Sequence, residues 1–177
     1  MIRPCRGKSP QIDPTARIAE NATIIGDITL EKDVSIWYNA VARADSDSMH
    51  IGEGTNIQDG CILHNDSGHP LNVGRNCVVG HGAILHSCTV GDGTLVGMGS
   101  ILLTGCKIGE GSLVGAGALV TGNREFPPHS LLMGVPARVV RTLSEEEMEN
   151  TLREARDYIG KAREELPAAS DHPGDED

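Results

Sequence analysis

Large aromatic side chains are almost missing from this chain of 177 residues, which contains one Trp, two Tyr and one Phe. An ordinary globular core contains more large rings, because each ring buries a large apolar area. The scarcity favours a narrow interior that is filled by stacked aliphatic and small residues. The 22 glycines fit such an architecture, because glycine allows sharp backbone corners at short intervals.

The chain also lacks a net positive charge and long apolar runs. The formal net charge of −10 at pH 7 argues against nucleic acid or an anionic membrane surface as a partner. No apolar run approaches the roughly 20 residues of a membrane span. The first six residues have no apolar region of the secretory type, so we expect no signal peptide and a cytoplasmic location.

Cysteine pairs that would indicate a zinc ribbon or a disulfide framework are absent. The five cysteines are an odd number and contain no Cys-x-x-Cys spacing. Cys61, Cys77 and Cys106 occupy the small-residue position of the repeat described next, which predicts that they are buried small hydrophobic residues. This usage is typical of a reducing cytoplasm.

A six-residue repeat runs through most of the chain. Its period matches neither the 3.6-residue helix nor the two-residue alternation of an ordinary strand, and it is typical of a β-helix solenoid. We therefore predict a mainly β fold, with a hexapeptide β-helix over residues 18–122. The apolar anchors are Ile18, Ile24, Leu30, Ile36, Ala42, Ile51, Ile57, Leu63, Val73, Val79, Leu85, Val90, Val96, Leu102, Ile108, Val114 and Val120.

The rest of the chain divides into shorter segments. Ser144 with Glu147 three residues later forms a capping box, and the apolar residues that follow at helical spacing predict an amphipathic helix. The predicted segments are an N-terminal lead-in or cap (1–17), an irregular cap or return segment (123–143), a C-terminal helix (144–166) and a disordered acidic tail (167–177).

The repeat predicts which side chains lie above one another. If three hexapeptides form one triangular turn, positions three repeats apart are separated by about 4.8 Å. Two insertions, residues 43–50 and 64–72, interrupt the repeat and are expected to bulge outward as loops. Counting across them puts Arg43, His64 and His86 in one outward column. Two imidazoles one rung apart can share a metal ion such as zinc.

A second column lies on a different side of the predicted prism, with Gln58 below Gly80 and Asp59 below His81. One chain cannot easily bring His81 to the first column. A second copy that is related by an axis parallel to the solenoid can supply it, and a closed threefold ring contains three such sites. The same contact sets Asp59 against Arg43 as a salt bridge between subunits.

A set of short stretches matches the pattern of a known family: Arg43–Asp45, Asn56–Gly60, Leu63–His64, Gly80–His81, Leu85–His86, Gly91, Val96–Ser100 and Gly134–Arg138. Through them the chain resembles the γ-class carbonic anhydrases over roughly residues 10–166. The resemblance implies a left-handed parallel β-helix with a C-terminal α-helix, and a homotrimer. It also implies a metal ion, usually zinc with iron or cobalt as alternatives, whose ligands are His64 and His86 of one chain and His81 of the next.

The resemblance also implies the activity and the surrounding residues. The reaction is the reversible hydration of CO₂ to bicarbonate by a metal-bound hydroxide at the subunit interface. Gln58 hydrogen-bonds the metal-bound solvent, and Arg43 and Asp59 form the interface pair. Asp45 holds Arg43 or the neighbouring strand.

Other functions stay open from the residues alone. Hexapeptide β-helices are also found in acyltransferases, which need one histidine as a general base and no metal. A metal-dependent hydrolase of coenzyme A thioesters uses the same histidine set for another substrate. A third alternative is a catalytically weak structural trimer whose metal only joins the subunits.

Overall fold

The computed structural model describes residues 1–171, in which twenty short strands precede one α-helix and a 3₁₀ turn. The strands are β1 (Ile2–Arg3), β2 (Gln11–Ile12), β3 (Arg17–Ile18), β4 (Thr23–Leu30), β5 (Ser35–Ile36), β6 (Val41–Ile51), β7 (Asn56–Ile57), β8 (Ile62–His64), β9 (Leu71–Val73), β10 (Val78–Val79), β11 (Ile84–His86), β12 (Thr89–Val90), β13 (Leu95–Val96), β14 (Ile101–Leu102), β15 (Lys107–Ile108), β16 (Leu113–Val114), β17 (Leu119–Val120), β18 (Glu125–Phe126), β19 (Ser130–Gly134) and β20 (Ala137–Thr142). The helix is α1 (Glu145–Glu165), and the 3₁₀ turn spans Ala169–Asp171.

The strands stack as the rungs of a solenoid with three faces. Long β6 joins two of these faces, because its start pairs with β8 and its end pairs with β9. The pairings between rungs are parallel, and β20 returns antiparallel to β19. The first face contains the start of β6 with β8, β11, β14 and β17; the second contains β3, β5, β7, β10, β13, β16, β19 and β20; the third contains the end of β6 with β9, β12, β15 and β18.

The repeat anchors fill the interior of the solenoid. Leu63, Leu85 and Leu102 occupy successive rungs of the first face, and each is completely buried. The predicted small-residue positions also point inward, and Cys61, Cys77 and Cys106 are fully buried free thiols. The mainly β, parallel solenoid fold is thereby confirmed.

One of the two predicted insertions is not a loop. Residues 43–50 lie within the continuous strand β6, because Ala44 and Met49 turn inward and the backbone pairs with β4 on either side of a bulge. The second insertion, 64–72, does form a tight turn, which the Asp66–His69 bridge closes before β9 begins.

The solenoid also extends beyond its predicted boundaries. β1 and β2 pair with β4, so the lead-in is part of the wall. After residue 122 the coil continues, because β18 pairs with β15 and β19 pairs with β16. The segment 123–143 is therefore mostly regular, and only β20 runs back as a return strand. The six-residue apolar spacing also continues here, because Phe126 and Leu132 are buried in register with Ile108 and Val114.

Helix α1 begins at the predicted capping box. The Ser144 side chain accepts from the Glu147 backbone N–H, and the Glu147 side chain accepts from the Ser144 backbone N–H. Ala155 and Ala162 face the solenoid, and Tyr158 packs edge-on against Trp37 with ring centroids 5.4 Å apart. These contacts fix α1 along the second face, beside β5, β7 and β10.

Part of the predicted disordered tail is ordered against the first coil. The Pro167 carbonyl accepts from the Ile18 backbone N–H at 3.2 Å, and Arg17 and Ala168 form a bridge. The rest of the predicted tail, residues 172–177, lies outside the described residues. Within residues 1–171, no helix is both long enough and apolar enough to cross a membrane.

Candidate metal centre

The first column predicted from the repeat is present on the first face. Arg43 pairs in register with His64, which pairs in register with His86 on the next rung. The two imidazole rings meet with centroids 5.1 Å apart and an interplanar angle of 61°. His64 Nδ1 and His86 Nε2 are 3.1 Å apart.

The outer nitrogen of each of these rings has an oxygen partner. His64 Nε2 donates to Asp45 Oδ1 at 3.0 Å, and His86 Nδ1 is 3.0 Å from Thr104 Oγ1. When these outer nitrogens carry the ring protons, His64 Nδ1 and His86 Nε2 each present a lone pair to the other. Two lone pairs at 3.1 Å repel unless a cation lies between them.

This donor pair fits a metal ion. Zinc binds imidazole nitrogen at about 2.0–2.1 Å, so two ligands of one tetrahedral ion lie about 3.3 Å apart. The observed separation of 3.1 Å between the facing nitrogens is close to that value. Metal-binding histidines usually donate their other ring N–H to a carboxylate or another oxygen, as both rings do here.

Asp45 links this histidine pair to Arg43. One carboxylate oxygen accepts from His64, and the other accepts from the Arg43 guanidinium. Burial opposes the charged form of Asp45, but the hydrogen bonds from His64 and Arg43 outweigh it and lower the pKa of this carboxyl. Asp45 therefore stays ionised and fixes the His64 tautomer.

The second column is also present, on the second face. His81 Nδ1 donates to Asp59 Oδ2 at 2.8 Å, which directs Nε2 away from Asp59. The side-chain oxygen of Gln58, Oε1, accepts a hydrogen bond from the His81 backbone N–H at 3.2 Å. Gly80 allows the following rung to stack closely on this one, because a Cβ there would lie 2.8 Å from the Met98 backbone nitrogen.

Gln58 is held rigidly at this position although it is polar. Its side chain is almost fully buried, and its amide nitrogen donates to Asn56 Oδ1 at 3.1 Å. Asn56 in turn donates to the Cys77 carbonyl oxygen at 3.3 Å. Each end of the Gln58 amide retains one further hydrogen-bonding position for a ligand.

The two columns do not meet within one chain. Among residues 1–171, no three His, Cys, Asp or Glu side chains are grouped closely enough to hold a metal ion. The chain brings His64 and His86 together and places His81 on another face. Likewise, the ion pair of Arg43 is with Asp45, whereas Asp59 pairs with His81.

Sequence reasoning missed three residues that contact the predicted site. Asn56 orients Gln58, and Thr104 and Asp66 lie behind His86. Asn56 was recoverable from the sequence, because it precedes Gln58 by two residues and shares its outward side. Thr104 and Asp66 were not, because they follow the strands β14 and β8, where the turn geometry sets side-chain direction.

Comparisons with known proteins identify close relatives. The family description "Bacterial transferase hexapeptide (six repeats)" matches residues 87–122. A Methanocaldococcus jannaschii protein named "Probable carbonic anhydrase" is 48% identical over 84% of this chain and 93% of its own length. An Arabidopsis thaliana protein named "Gamma carbonic anhydrase 1, mitochondrial" is 41% identical over 88% of this chain and 59% of its own length.

A solved structure from Anaplasma phagocytophilum has the same fold. It is described as a hexapeptide transferase family protein and superimposes with a TM-score of 0.90 at 41% identity. The superposition covers 94% of this chain and 98% of the other. The similarity therefore extends over the solenoid and the C-terminal helix.

Proposed function

The chain belongs to the γ-class carbonic anhydrase family, and from that premise we propose that it catalyses the reversible hydration of CO₂ to bicarbonate at a metal site between subunits. The observation that carries the proposal is the pair of facing nitrogens, His64 Nδ1 and His86 Nε2, at 3.1 Å. Each belongs to a ring whose other nitrogen already has an oxygen partner.

Three imidazole nitrogens would hold the ion: His64 Nδ1, His86 Nε2 and Nε2 of the partner subunit's His81. Zinc suits an imidazole set, and iron and cobalt are alternatives. When bound, the ion supplies a hydroxide nucleophile near neutral pH, because it lowers the pKa of water from about 15.7 to about 7. Asp45 and Asp59 keep the His64 and His81 rings in the required tautomers.

Gln58 orients the reactants beside His81. Its amide is fixed by Asn56 and by the His81 backbone N–H, so its remaining donor and acceptor point in defined directions. A donor or acceptor that is already fixed costs no reorganisation during the reaction. Gln58 therefore hydrogen-bonds the attacking oxygen or the bicarbonate product.

Arg43 and Asp59 pair across the subunit boundary. The Arg43 side chain is 43% exposed, and a guanidinium has five N–H donors, so its contact with Asp45 leaves donors available. One carboxylate oxygen of Asp59 accepts from His81, and the other is available to Arg43 of a second copy. An ion pair between these groups fixes the height at which two subunits meet.

Apolar surface on the first and second faces supports a homotrimer. On the first face, Ile62 and Ile84 stack in register beside the histidine pair and are 40% and 37% exposed. On the second face, a groove of about 310 Å³ next to His81 is lined by Leu95, Met98 and Tyr158, among others. In a threefold ring, the ridge formed by Ile62 and Ile84 of one subunit is buried against this groove of the next.

The decisive experiment measures metal content and CO₂ hydration together, on protein that is prepared with zinc and, anaerobically, with iron. We expect one metal ion per chain and hydration activity that depends on it. In His81→Ala both should fall to background. A His81→Ala protein that keeps its metal and its full hydration rate would falsify the assignment.

Acyl transfer is the second candidate, because the matching family description and the Anaplasma phagocytophilum relative both carry transferase names. Purified protein that contains no metal and transfers an acetyl group from acetyl coenzyme A would favour it. Metal-dependent hydrolysis of the same thioester, without CO₂ hydration, would instead indicate a hydrolase.

We further propose a reducing cytoplasmic location, since all five cysteines are free thiols.

A further inference from the structure

We infer that Thr104 and Asp66 are positioning residues for His86, which they hold in the tautomer that presents Nε2 to the metal. The inference rests on the proposed function, because it takes His86 as a metal ligand. Three contacts define the arrangement. His86 Nδ1 lies 3.0 Å from Thr104 Oγ1, Thr104 Oγ1 lies 3.3 Å from Asp66 Oδ2, and His86 Nδ1 lies 3.7 Å from Asp66 Oδ2.

The direction of these hydrogen bonds follows from the number of protons. A carboxylate can only accept, so the single hydroxyl proton of Thr104 is donated to Asp66. The Thr104 oxygen is then left as an acceptor, and His86 Nδ1 must carry the proton that it accepts. This leaves the lone pair on His86 Nε2, the nitrogen that faces His64.

The fold brings Thr104 and Asp66 to His86 from the two neighbouring rungs. His86 ends β11, and Thr104 follows β14 on the rung beyond, where its carbonyl oxygen accepts from the Asn123 backbone N–H. Asp66 follows β8 on the rung before, and its backbone N–H donates to Ser87 Oγ at 2.8 Å. The carboxylate is 53% exposed, so holding its charge here costs little desolvation.

His86 differs in this respect from the other two predicted ligands. His64 and His81 contact their carboxylates directly, at 3.0 and 2.8 Å. The distance of 3.7 Å from His86 Nδ1 to Asp66 Oδ2 is too long for a direct hydrogen bond. Asp66 therefore acts on the His86 tautomer through the Thr104 hydroxyl group, whose proton it accepts. All three rings thus have a fixed proton position, but only that of His86 depends on a hydroxyl group.

The test compares Thr104→Val, which keeps the shape and removes the hydroxyl, with Thr104→Ser, which restores it. The first measurement is the His86 tautomer in metal-free protein that carries His64→Ala, so that no facing nitrogen competes for the His86 proton. The ¹⁵N chemical shifts are assigned by their loss in His86→Ala. In this background we expect the Nδ1–H form with Thr104 and with Thr104→Ser, and a mixture of tautomers with Thr104→Val. Thr89→Val, on the third face, is the matched control and should change nothing.

The second measurement is zinc affinity by competition with a chelator. Removing the partner of a metal-binding histidine typically weakens affinity about 10–100-fold, so Thr104→Val should lose that factor and Thr104→Ser should recover it. Affinity in Thr104→Val that equals that of the original protein overturns the inference. If the original protein binds no metal, the proposed function fails, and the tautomer measurement alone then decides whether Thr104 positions His86.

Discussion

The first and second faces of the solenoid each carry part of the proposed histidine set, but they arrange their histidines differently. On the first face two imidazoles one rung apart turn facing nitrogens toward each other at 3.1 Å. On the second face His81 is 47% exposed and contacts Asp59, and Gln58 beside it is buried and fixed by hydrogen bonds. In the proposed site, one face would therefore supply two ligands from adjacent rungs, and the other would supply the third ligand and the orienting amide.

Mixing inactive variants gives the sharpest test of this division, with the largest expected effect. His64→Ala and His81→Ala should each lack activity. When they are unfolded together and refolded as mixed trimers, about one quarter of the interfaces regain all three histidines. The hydration rate of the mixture should therefore rise from background to about one quarter of the original rate.

The matched control for that experiment mixes His64→Ala with His86→Ala. Both changes lie on the first face, so every chain in the mixture lacks one member of the pair. No interface is complete, and the rate should stay at background. Recovery in this control would mean that the site does not draw its ligands from the two faces as proposed.

Disrupting the apolar surface of the first face is expected to have the next largest effect. Ile84→Asp puts a charge on the surface that a second copy would cover in the proposed trimer, and a buried unpaired carboxylate is strongly unfavourable. Sedimentation should show monomers in place of trimers, with metal and activity lost together. Thr89→Asp on the third face should leave the trimer intact. Trimeric, fully active Ile84→Asp protein would contradict this use of the ridge.

The support of His81 can be separated into a hydrogen bond and a charge. Asp59→Ala removes both and should weaken metal affinity about 10–100-fold. Asp59→Asn keeps an acceptor oxygen for His81 Nδ1 but loses the charge that pairs with Arg43. A small loss in Asp59→Asn indicates that the hydrogen bond dominates, and equal losses indicate the ion pair between subunits.

The capping box of α1 should have the smallest effect, because it lies away from both histidine columns. Ser144→Ala removes the side chain that accepts from the Glu147 backbone N–H and should cost about 1 kcal/mol of unfolding free energy. Thermal unfolding measures the loss. Metal affinity should be unchanged, and a change would show that α1 helps to set the second face.

The same cap has a defined pH dependence. Hydrogen bonds from Arg141 and from the Ser144 backbone lower the pKa of Glu147 from 4.5 to about 2. A lowered folded-state pKa stabilises the protein above the unfolded value, so this contribution is full above pH 4.5 and is lost as the pH falls toward 2. Glu147→Gln should remove that part of the acid dependence in an unfolding titration.

Much of the geometry of the candidate site could be predicted from the sequence, because a solenoid converts spacing along the chain into stacking. The anchors fix the rung of each residue, and the register then aligns Arg43, His64 and His86 without further information. The same rule aligned Asp59 with His81. The prediction was wrong at residues 43–50, where the spacing breaks but the chain forms a strand. It was also wrong beyond residue 122, where the coil continues and Phe126 and Leu132 keep the six-residue spacing.

The sequence by itself determined the period, the columns and the histidines that share a face, because apolar burial every sixth residue admits one stacking register. Only the tertiary structure decided which ring nitrogen is held by which oxygen. Those contacts join residues from different rungs and turns, as Asp45 does with His64 and Thr104 with His86. Side-chain direction at the ends of strands is set by local backbone geometry and by neighbouring rungs, and a repeat pattern does not encode it.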